Sequence, residues 1–492
     1  MKKLVILLSL FYTFNAAAQV VKDYNPAIQK KSHIQYFKPT EEHLFTGDCM
    51  PYYDKGTFYL YWLLDEGHHA GLGGLGGHQW ALSTSTDLKN WTHYPVAVGI
   101  DEEWEKSICT GSVLADGDKF YAFYSTRVKE GDKVHEQLSY AVSTDGGKTY
   151  VKQKPNPFYY APEECVSRDF RDPKAFKDKD GLFHLFISGY KKNPELSGFG
   201  GYLVHLTSTD LKNWKEVASP LTGQVATPEC SDYFKWNDWY YLLYSVNGDT
   251  YYVKSRQPYG PWEYPTTQAL VETWASVYKT AEFKDGRRIA VAYMPYRRDN
   301  KDNEVSIWGG NALLREACQL PDGTLYTKFL TEVLPAMEPM KMPEMDVSAS
   351  GKKASFSNGI LTLNAPDGIS IASLSEVPEN YRITMEIDPK GNYDELGLFV
   401  KATNKDQKGY KLELNANKES IFLYNTAING VKGLRGPLVL DVIVKGEFID
   451  VCLNSERCII NRLPEQKGKN LFFFIKNGHA VIKNIKMQRI TD

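Results

Sequence analysis

The first two thirds of the chain repeat one arrangement five times. In each repeat a turn is followed by a short aromatic or aliphatic strand. These strands begin at Phe58, Phe120, Phe183, Tyr240 and Ile289. The starts are separated by 62, 63, 57 and 49 residues. Units of this length, each rich in short strands, are typical of a β-propeller, in which every unit forms a four-stranded blade around a central axis. The sequence therefore predicts an all-β fold with a five-bladed propeller over residues 44–340.

A second motif supports this division. Residues 85–91 read Ser-Thr-Asp-Leu-Lys-Asn-Trp, and residues 208–214 read the same. Residues 143–150 give a related version, Ser-Thr-Asp-Gly-Gly-Lys-Thr-Tyr. A plain β-sandwich would not need internal similarity at this period, so the repeat favours the propeller.

The composition changes after the fifth unit. Pro335, Pro339 and Pro343 mark a linker-like stretch. Beyond it, apolar and polar residues largely alternate, as in antiparallel strands, over residues 360–363, 381–387, 409–414 and 438–444. We expect a C-terminal β-sandwich over residues 346–492. Ahead of the propeller, residues 19–43 are predicted to form an extended lead-in.

The N-terminus has the pattern of a secretory signal peptide. Two lysines precede an apolar run over residues 4–14, and three alanines follow at residues 16–18. The run is too short to span a bilayer. Cleavage after Ala18 would leave Gln19, which argues against a lipid-anchored cysteine. Residues 1–18 are therefore predicted to direct export to the periplasm or the medium, without membrane insertion.

Charge and cysteine content narrow the possible partners. The net charge of −2 gives no basic footprint, so we expect no nucleic-acid partner. The seven cysteines are an odd number, and an exported chain permits disulfides. Cys452 and Cys458 bracket a plausible hairpin turn. They are interpreted equally well as a cross-link or as two unpaired strand residues.

Carboxylates recur ten or eleven residues before the repeated strands. The position holds Asp48 in the first unit, Asp172 in the third and Glu229 in the fourth. It falls at Cys109-Thr110 in the second unit and near Tyr278 in the fifth. Equivalent positions of propeller blades lie at similar heights, so the three acids should converge at one mouth of the funnel. Glycosidic cleavage requires such a set, one acid as proton donor and another as nucleophile or base.

These acids also have other possible uses. Each acid alone is more often a turn residue or a salt-bridge partner. A metal site built from them with Cys49, Cys109 and Cys230 has a spacing that matches no familiar zinc pattern, and buried packing better explains these cysteines. We expect neither a metal nor another cofactor.

The same residues resemble glycoside hydrolase family 32, the β-fructosidases. Arg171-Asp172-Pro173 matches the family's R-D-P motif, and Glu229-Cys230 matches its E-C motif. Residues 109–112 resemble its F-S-G-S motif, and residues 80–91 resemble its W-G-H-A-V-S-x-D-L-x-x-W segment. The resemblance spans most of the chain after residue 44. It implies a five-bladed propeller followed by a β-sandwich, and an oligo- or polysaccharide substrate.

The resemblance also implies residue roles. Asp48 would be the nucleophile and Glu229 the general acid and base, while Asp172 would hydrogen-bond sugar hydroxyls in the transition state. Arg171 would help to hold the carboxylates in their ionisation states. Further candidates for substrate binding are Trp62, Trp80 and Thr110. Trp80 is interpreted equally well as an aromatic residue of the propeller core.

Several positions depart from the family pattern. Gly47 stands where the family has asparagine, Leu63 where it has glutamine, and Cys109 where it has an aromatic residue. Residues 65–78 form an unusual glycine-rich segment with three histidines. A flexible surface loop is the favoured interpretation of this segment, although its histidines could reach a substrate or a metal.

Three functions follow as hypotheses. The first is a retaining, exo-acting β-fructosidase on fructans or sucrose-type sugars. The second is an inverting glycosidase on another furanoside or pentoside, such as arabinan, since the fructose-binding residues differ. The third is a non-catalytic glycan-binding protein. The oligomeric state has no signature in the sequence.

Overall fold

The computed structural model describes residues 23–30, 34–268, 270–403 and 408–491. This part of the chain is built from strands, with helices of a single turn or two. The α-helical turn α1 is Gly71–Gly74. The 3₁₀ turns are Pro26–Ile28, Ser167–Asp169, Lys284–Gly286, Arg298–Asn300, Thr331–Val333 and Ser348–Lys353. None of the helices in the described residues has the length and apolar character needed to cross a lipid bilayer. The predicted signal peptide, residues 1–18, lies outside the described residues.

Nineteen strands of the described residues form the propeller. Blade one contains β1 Leu44–Asp54, β2 Thr57–Glu66, β3 Gln79–Ser85 and β4 Thr92–Val98. Blade two contains β5 Ser107–Asp116, β6 Lys119–Glu130, β7 Lys133–Ser143 and β8 Val151–Lys152. Blade three contains β9 Arg171–Lys177, β10 Phe183–Tyr190, β11 Gly201–Ser208 and β12 Lys215–Val217. Blade four contains β13 Glu229–Trp236, β14 Trp239–Val246 and β15 Asp249–Ser255. Blade five contains β16 Ser276–Glu282, β17 Arg288–Arg297, β18 Ser306–Gln319 and β19 Leu325–Phe329.

The predicted five-bladed propeller is confirmed. Every blade is an antiparallel meander, and Thr46 of β1 pairs with Gly310 of β18, which joins the last blade to the first. In blade four the fourth strand is reduced to a single bridge between Lys254 and Glu263. The aromatic strands that revealed the repeat are the second strands of the five blades, and they are buried on both faces between neighbouring blades.

The Ser-Thr-Asp motif follows the third strand of the first three blades and forms a tight turn. Asp87 accepts hydrogen bonds from the backbone N–H groups of Lys89 and Asn90 at 2.9 and 2.7 Å. Asp210 accepts the equivalent bonds in blade three. These backbone donors hold the pKa of Asp87 at about 2, well below its usual range. The repeated motif is therefore structural.

The C-terminal strands form the predicted β-sandwich. Its strands are β20 Met337–Met340, β21 Met345–Asp346, β22 Ala354–Ser357, β23 Ile360–Leu374, β24 Tyr381–Pro389, β25 Glu395–Ala402, β26 Tyr410–Asn415, β27 Ser420–Leu423, β28 Thr426–Asn429, β29 Leu438–Lys445, β30 Phe448–Leu453, β31 Arg457–Arg462 and β32 Asn470–Ile490. The long β32 pairs with β25 in its first half and with β24 in its second half, so it runs through both layers. Inward-facing apolar residues of the two layers form a single core.

Two connecting segments are more ordered than the sequence indicated. Within the linker-like stretch, β20 pairs with the end of β32, so the sandwich begins near Met337 and not at residue 346. In the lead-in, the backbone N–H of Tyr36 donates a hydrogen bond to the carbonyl of Ala312. The N–H of Ala312 in turn donates to the carbonyl of Phe37. The Tyr36 hydroxyl donates to Asp450 of the sandwich at 2.7 Å. The lead-in therefore ties the two domains together.

Candidate active site

Each blade starts with a strand that carries a β-bulge at the same place. At this place the first strand has one residue more than the second strand with which it pairs. The bulges lie between Thr46 and Cys49, Ile108 and Gly111, Arg171 and Lys174, Glu229 and Asp232, and Ser276 and Lys279. At these bulges Asp172, Cys230 and Val277 have left-handed backbones, with φ of 59°, 52° and 60°. Bulges redirect side chains, and here they turn residues of all five blades into one cavity.

The three predicted acids line this central cavity, whose volume is about 1010 Å³. Glu229 is the residue just before its bulge, Asp172 is the first residue inside its bulge, and Asp48 is the second. Relative to the bulge, the three acids are thus one residue apart in the order Glu229, Asp172, Asp48. The alignment of the strands had predicted a common position. The bulges bring them to the same cavity despite this offset.

Asp48 lines the cavity and is 7% exposed. Its Oδ2 accepts a hydrogen bond of 2.5 Å from the Thr110 hydroxyl, and the Cys230 thiol lies 3.6 Å from the same oxygen. Its Oδ1 is buried and has no hydrogen-bond partner among the described residues. Burial raises the pKa of Asp48, and the Thr110 hydrogen bond opposes this effect. One oxygen is thus fixed, while the other has a free lone pair.

Arg171 joins the other two acids. Its Nη2 donates to Glu229 Oε1 at 2.6 Å, and its Nε lies 3.7 Å from Asp172 Oδ2. Its Nη1 also donates to Asp169 at 3.0 Å. Asp172 Oδ2 accepts a further hydrogen bond from the backbone N–H of Cys230 at 3.1 Å. The guanidinium therefore fixes the spacing between the carboxylates of blades three and four.

Asp172 is the acid whose ionisation the site disfavours most clearly. It is 3% exposed, and burial raises its pKa to about 7. Arg171 lowers the pKa, whereas the negative charges of Glu229, Glu136 and Asp48 raise it further. Its ionisation therefore falls near neutral pH, where catalytic carboxyl groups are commonly tuned.

One charged pair in the wall of the cavity has no motif in the sequence. Arg127 of β6 and Glu136 of β7 are direct cross-strand partners. The Arg127 guanidinium donates two hydrogen bonds to Glu136 Oε1, at 2.9 and 3.1 Å. Both residues line the cavity, and Glu136 Oε2 is buried without a partner among the described residues. The only sequence signal was the hairpin spacing, which places opposite charges across from each other.

Trp308 of β18 is a second residue that the sequence analysis did not assign to the site. Its ring stacks on His69 and lies against His78, with centroid separations of 4.2 and 4.6 Å. A Cβ atom added to Gly47 would lie 2.1 Å from the ring edge, so only glycine fits there. Trp308 is part of the wall beside Asp48.

Two predicted substrate-binding residues are not in the cavity. Trp62 and Trp80 are both 0% exposed. The indole N–H of Trp62 donates to Ser83 at 3.1 Å, and that of Trp80 donates to the carbonyl of Cys109 at 2.9 Å. Both tryptophans are core residues of the propeller, so the prediction that they contact substrate is wrong in this structure. Thr110 does line the cavity, where it holds Asp48.

The glycine- and histidine-rich segment differs from the expected surface loop. Its ends, Asp65 and His78, are 0% and 2% exposed. His69, Gly74 and Leu75 line the cavity together with His78. The segment therefore forms one wall of the cavity.

The cysteines fit the packing interpretation. Cys49, Cys109 and Cys230 are buried, and burial raises the pKa of Cys109 to about 12. Their thiols are therefore protonated at neutral pH. Cys452 and Cys458 pair directly across the hairpin of β30 and β31, so the predicted hairpin is present. Both thiols are free in this structure, and the cross-link and the unpaired pair stay the two interpretations of these cysteines.

A propeller funnel with converging carboxylates beside an arginine defines a glycoside hydrolase. The sequence profile "Glycosyl hydrolases family 32 N-terminal domain" matches residues 39–327, more than half of the chain. The chain therefore belongs to glycosyl hydrolase family 32, the β-fructofuranosidase family. This membership argues against the hypothesis of a non-catalytic glycan-binding protein.

Individual relatives agree with this assignment. A levanase of Bacillus subtilis is 23% identical over 542 aligned positions, which cover 99% of this chain and 74% of the levanase. Fructan 1-exohydrolase IIa from Cichorium intybus superposes with a TM-score of 0.68 at 16% identity, over 93% of this chain and 97% of that chain. An exo-inulinase from Aspergillus awamori gives 0.69 at 16% identity, over 94% and 98%. At such identities the solved structures establish the fold.

Proposed function

We propose that the protein hydrolyses terminal β-fructofuranosyl linkages in fructans or sucrose-type sugars by a retaining double displacement. The observation that carries the proposal is the convergence of Asp48, Asp172 and Glu229 on one cavity. Glycosidic hydrolysis needs a nucleophilic carboxylate and a carboxylic acid on either side of the scissile bond. The names of the relatives, a levanase, a fructan exohydrolase and an exo-inulinase, support the substrate class.

In the first step Asp48 attacks the anomeric carbon of fructose. An ester bond forms between Asp48 and the sugar as the glycosidic C–O bond breaks, and Glu229 gives its proton to the leaving oxygen. In the second step the Glu229 carboxylate takes a proton from water. The water oxygen attacks the same carbon and the ester bond breaks, which releases fructose and restores both acids. Thr110 supports this role because it holds one oxygen of Asp48 and leaves the other free.

Asp172 would stabilise the transition state through hydrogen bonds from sugar hydroxyls. The ionised carboxylate accepts such bonds most strongly, and they strengthen as positive charge develops on the sugar ring. Arg171 supports this role because its charge opposes the effect of burial on Asp172. It also keeps Asp172 and Glu229 at a fixed separation.

The wall around the nucleophile differs from the pattern that the family resemblance implies. Asparagine is expected at position 47, but the edge of the Trp308 ring occupies the space where its side chain would begin. The apolar Leu63 stands in the cavity where glutamine is expected. We therefore expect the sugar to contact the Trp308 ring and the aliphatic Leu63 side chain where the family offers amide groups.

The shape of the cavity favours removal of a terminal sugar. Residues of all five blades line the cavity, namely Asp48, Thr110, Asp172, Glu229 and Val277. A funnel with walls from every blade accepts the end of a chain, whereas an internal linkage is bound more readily in a cleft that is open at both ends. This geometry supports exo action.

The activity is tested by incubation with sucrose, inulin, levan and arabinan, followed by identification of the released sugars. We expect free fructose from at least one of the first three substrates. Carbon-13 NMR of the anomeric carbon in the first-formed product distinguishes retention from inversion. Release of arabinose alone, or inversion at the anomeric carbon, would contradict the proposal and favour the pentosidase hypothesis.

The Glu229→Gln variant tests the assignment of the general acid. Glutamine preserves the shape and can still accept a hydrogen bond from Arg171, but it has no proton to give. We expect kcat on the accepted fructan to fall by roughly 10²–10⁴-fold. An activated fructoside with a good leaving group needs less protonation, so its first step should be affected less. Equal losses of kcat/KM, which reports the first step, on both substrates would contradict the role of Glu229 as the acid.

A further inference from the structure

The segment of residues 65–78, here called the glycine–histidine loop, is tightly folded. His68 and His69 have left-handed backbones with φ of 58° and 69°, an uncommon conformation outside glycine. At its neck, a Cβ atom on Gly71 would lie 2.6 Å from the carbonyl oxygen of Gly76. These close approaches fold the loop back on itself and bring His69 against His78.

Three side chains of this loop direct potential ligand atoms to one point. His78 Nε2 lies 3.1 Å from Asp65 Oδ1 and 2.8 Å from His69 Nδ1. All three atoms are within 4.8 Å of one another. Two imidazole nitrogens and one carboxylate oxygen form a donor set that binds zinc and related transition-metal ions in proteins.

The distances fit such an ion after a small adjustment. Bond lengths near 2.0–2.1 Å in a tetrahedral site place ligand atoms roughly 3.3 Å apart. The separations of 3.1 and 2.8 Å are within about half an ångström of this value, and the third pair, Asp65 Oδ1 and His69 Nδ1, lies within 4.8 Å.

Neighbouring groups already orient the three side chains. The backbone N–H groups of His68 and His69 donate to the two oxygens of Asp65 at 2.9 and 3.0 Å. Trp308 packs against the His69 and His78 rings. The guanidinium of Arg127, the cation beside His69, is bound to Glu136, which offsets its charge. Outer-shell contacts of this kind fix the ligands of protein metal sites.

We propose that Asp65, His69 and His78 bind one divalent transition-metal ion, of which Zn²⁺ is the model, in the wall of the central cavity. His69 and His78 line the cavity, so the remaining coordination position faces it. Water or a sugar hydroxyl would fill that position. The site is distinct from the three carboxylates of the proposed reaction, and its existence does not depend on that reaction.

The test uses the full chain without an affinity tag, freed of metal by a chelator and titrated with Zn²⁺ by calorimetry. We expect about one Zn²⁺ per chain, confirmed by elemental analysis after dialysis. Co²⁺ in the same protein should give the intense visible absorption of a tetrahedral site. Mg²⁺ and Ca²⁺ prefer oxygen ligands and should not displace Zn²⁺.

Single substitutions locate the ion. His69→Gln and His78→Gln should each weaken Zn²⁺ binding by more than roughly tenfold and abolish the Co²⁺ absorption. His68→Gln is the matched control, since His68 belongs to the same loop but contacts the Trp308 carbonyl instead. It should bind Zn²⁺ as the native chain does. Circular dichroism of each metal-free variant verifies folding.

The proposal is overturned if the native chain takes up no Zn²⁺, or if His69→Gln and His78→Gln bind it as well as the native chain. It is also overturned if His68→Gln loses binding equally. All of these measurements are made without sugar, so their failure is separate from a failure of the proposed hydrolysis.

Discussion

At the scale of single residues, Asp172 shows how burial prepares a site for chemistry at the expense of stability. Its pKa rises to about 7 chiefly because the carboxylate loses contact with water. Between the ordinary pKa of an aspartate and pH 7, the folded chain keeps the proton that the unfolded chain has released. Stability therefore decreases as pH rises through this interval. Above pH 7 the full cost of ionisation is present.

Asp172→Asn should remove this cost. Asparagine is nearly isosteric, and its oxygen can still accept the hydrogen bond from the Cys230 backbone. We expect the free energy of unfolding to increase by on the order of 1–4 kcal/mol at pH 8, with little change at pH 4. Urea unfolding at the two pH values measures the difference. A variant that is less stable than the native chain at pH 8 would contradict the argument.

Arg171→Gln tests how the arginine controls ionisation. Arg171 lowers the pKa of Asp172, so its removal should raise this pKa further. If Asp172 must be ionised to bind the sugar, the acidic limb of kcat/KM moves to higher pH. The pH profile of fructan hydrolysis by both forms checks this shift. An unchanged limb, or a shift to lower pH, would show that another group controls it.

At the scale of elements, the repeated bulge builds the active site. A regular strand alternates its side chains between two faces, and both faces of these strands pack against other blades. The extra residue breaks the alternation at one point and sends a side chain into the funnel. Thr110 and Asp48 are each the second residue of the bulge in neighbouring blades. The same kind of bulge therefore supplies both the carboxylate and the hydroxyl that donates a hydrogen bond to it.

Gly47 and Trp308 are coupled by this geometry. In Gly47→Asn the new Cβ would lie 2.1 Å from the Trp308 ring, so the variant should lose about 1–3 kcal/mol of unfolding free energy. Adding Trp308→Ala should recover part of that loss, so the two changes are non-additive. Denaturant unfolding of both single variants and the double variant measures the coupling.

The matched control for this cycle is Gly117→Asn. Gly117 lies in a turn with open space around its Cβ position, and asparagine tolerates its left-handed backbone. Its stability should change by less than about 1 kcal/mol. Strictly additive effects of Gly47→Asn and Trp308→Ala would show that the ring does not restrict position 47.

At the scale of the whole molecule, a buried ion cluster joins the propeller to the sandwich. Arg315 of β18 is 0% exposed. It donates to Glu272 of the propeller at 2.7 Å and to Asp450 of β30 at 2.6 and 2.8 Å. Tyr36 of the lead-in donates to Asp450 as well. The lead-in, the propeller and the sandwich therefore meet at Asp450, which accepts hydrogen bonds from both Tyr36 and Arg315.

Arg315→Met should destabilise the protein strongly, because it leaves Glu272 and Asp450 buried without a countercharge. We expect a loss on the order of 3–5 kcal/mol of unfolding free energy, measured by urea denaturation. Lys432→Met removes the partner of Glu419 in an exposed pair and should change stability by less than about 1 kcal/mol. Equal effects of the two substitutions would contradict a special role for the cluster.

The sequence alone determined the architecture of this protein and its three acids. Strand repeats at a regular spacing specify blades, because each blade must bury both faces of its strands against its neighbours. Asp48, Asp172 and Glu229 stood out because each lies ten or eleven residues before a repeated strand. These signals are local and periodic, so they are visible in a linear chain.

Only the tertiary structure decided which of these tryptophans faces the cavity. Trp62 and Trp80 lie in the core and Trp308 in the wall, although all three occur in similar apolar strands. Aromatic rings that pack between blades and rings that line a funnel have the same local sequence pattern. Likewise, the contact of Trp308 with His69 joins segments more than two hundred residues apart in the sequence. Such neighbours are set by how the blades close around the axis, which no local pattern records.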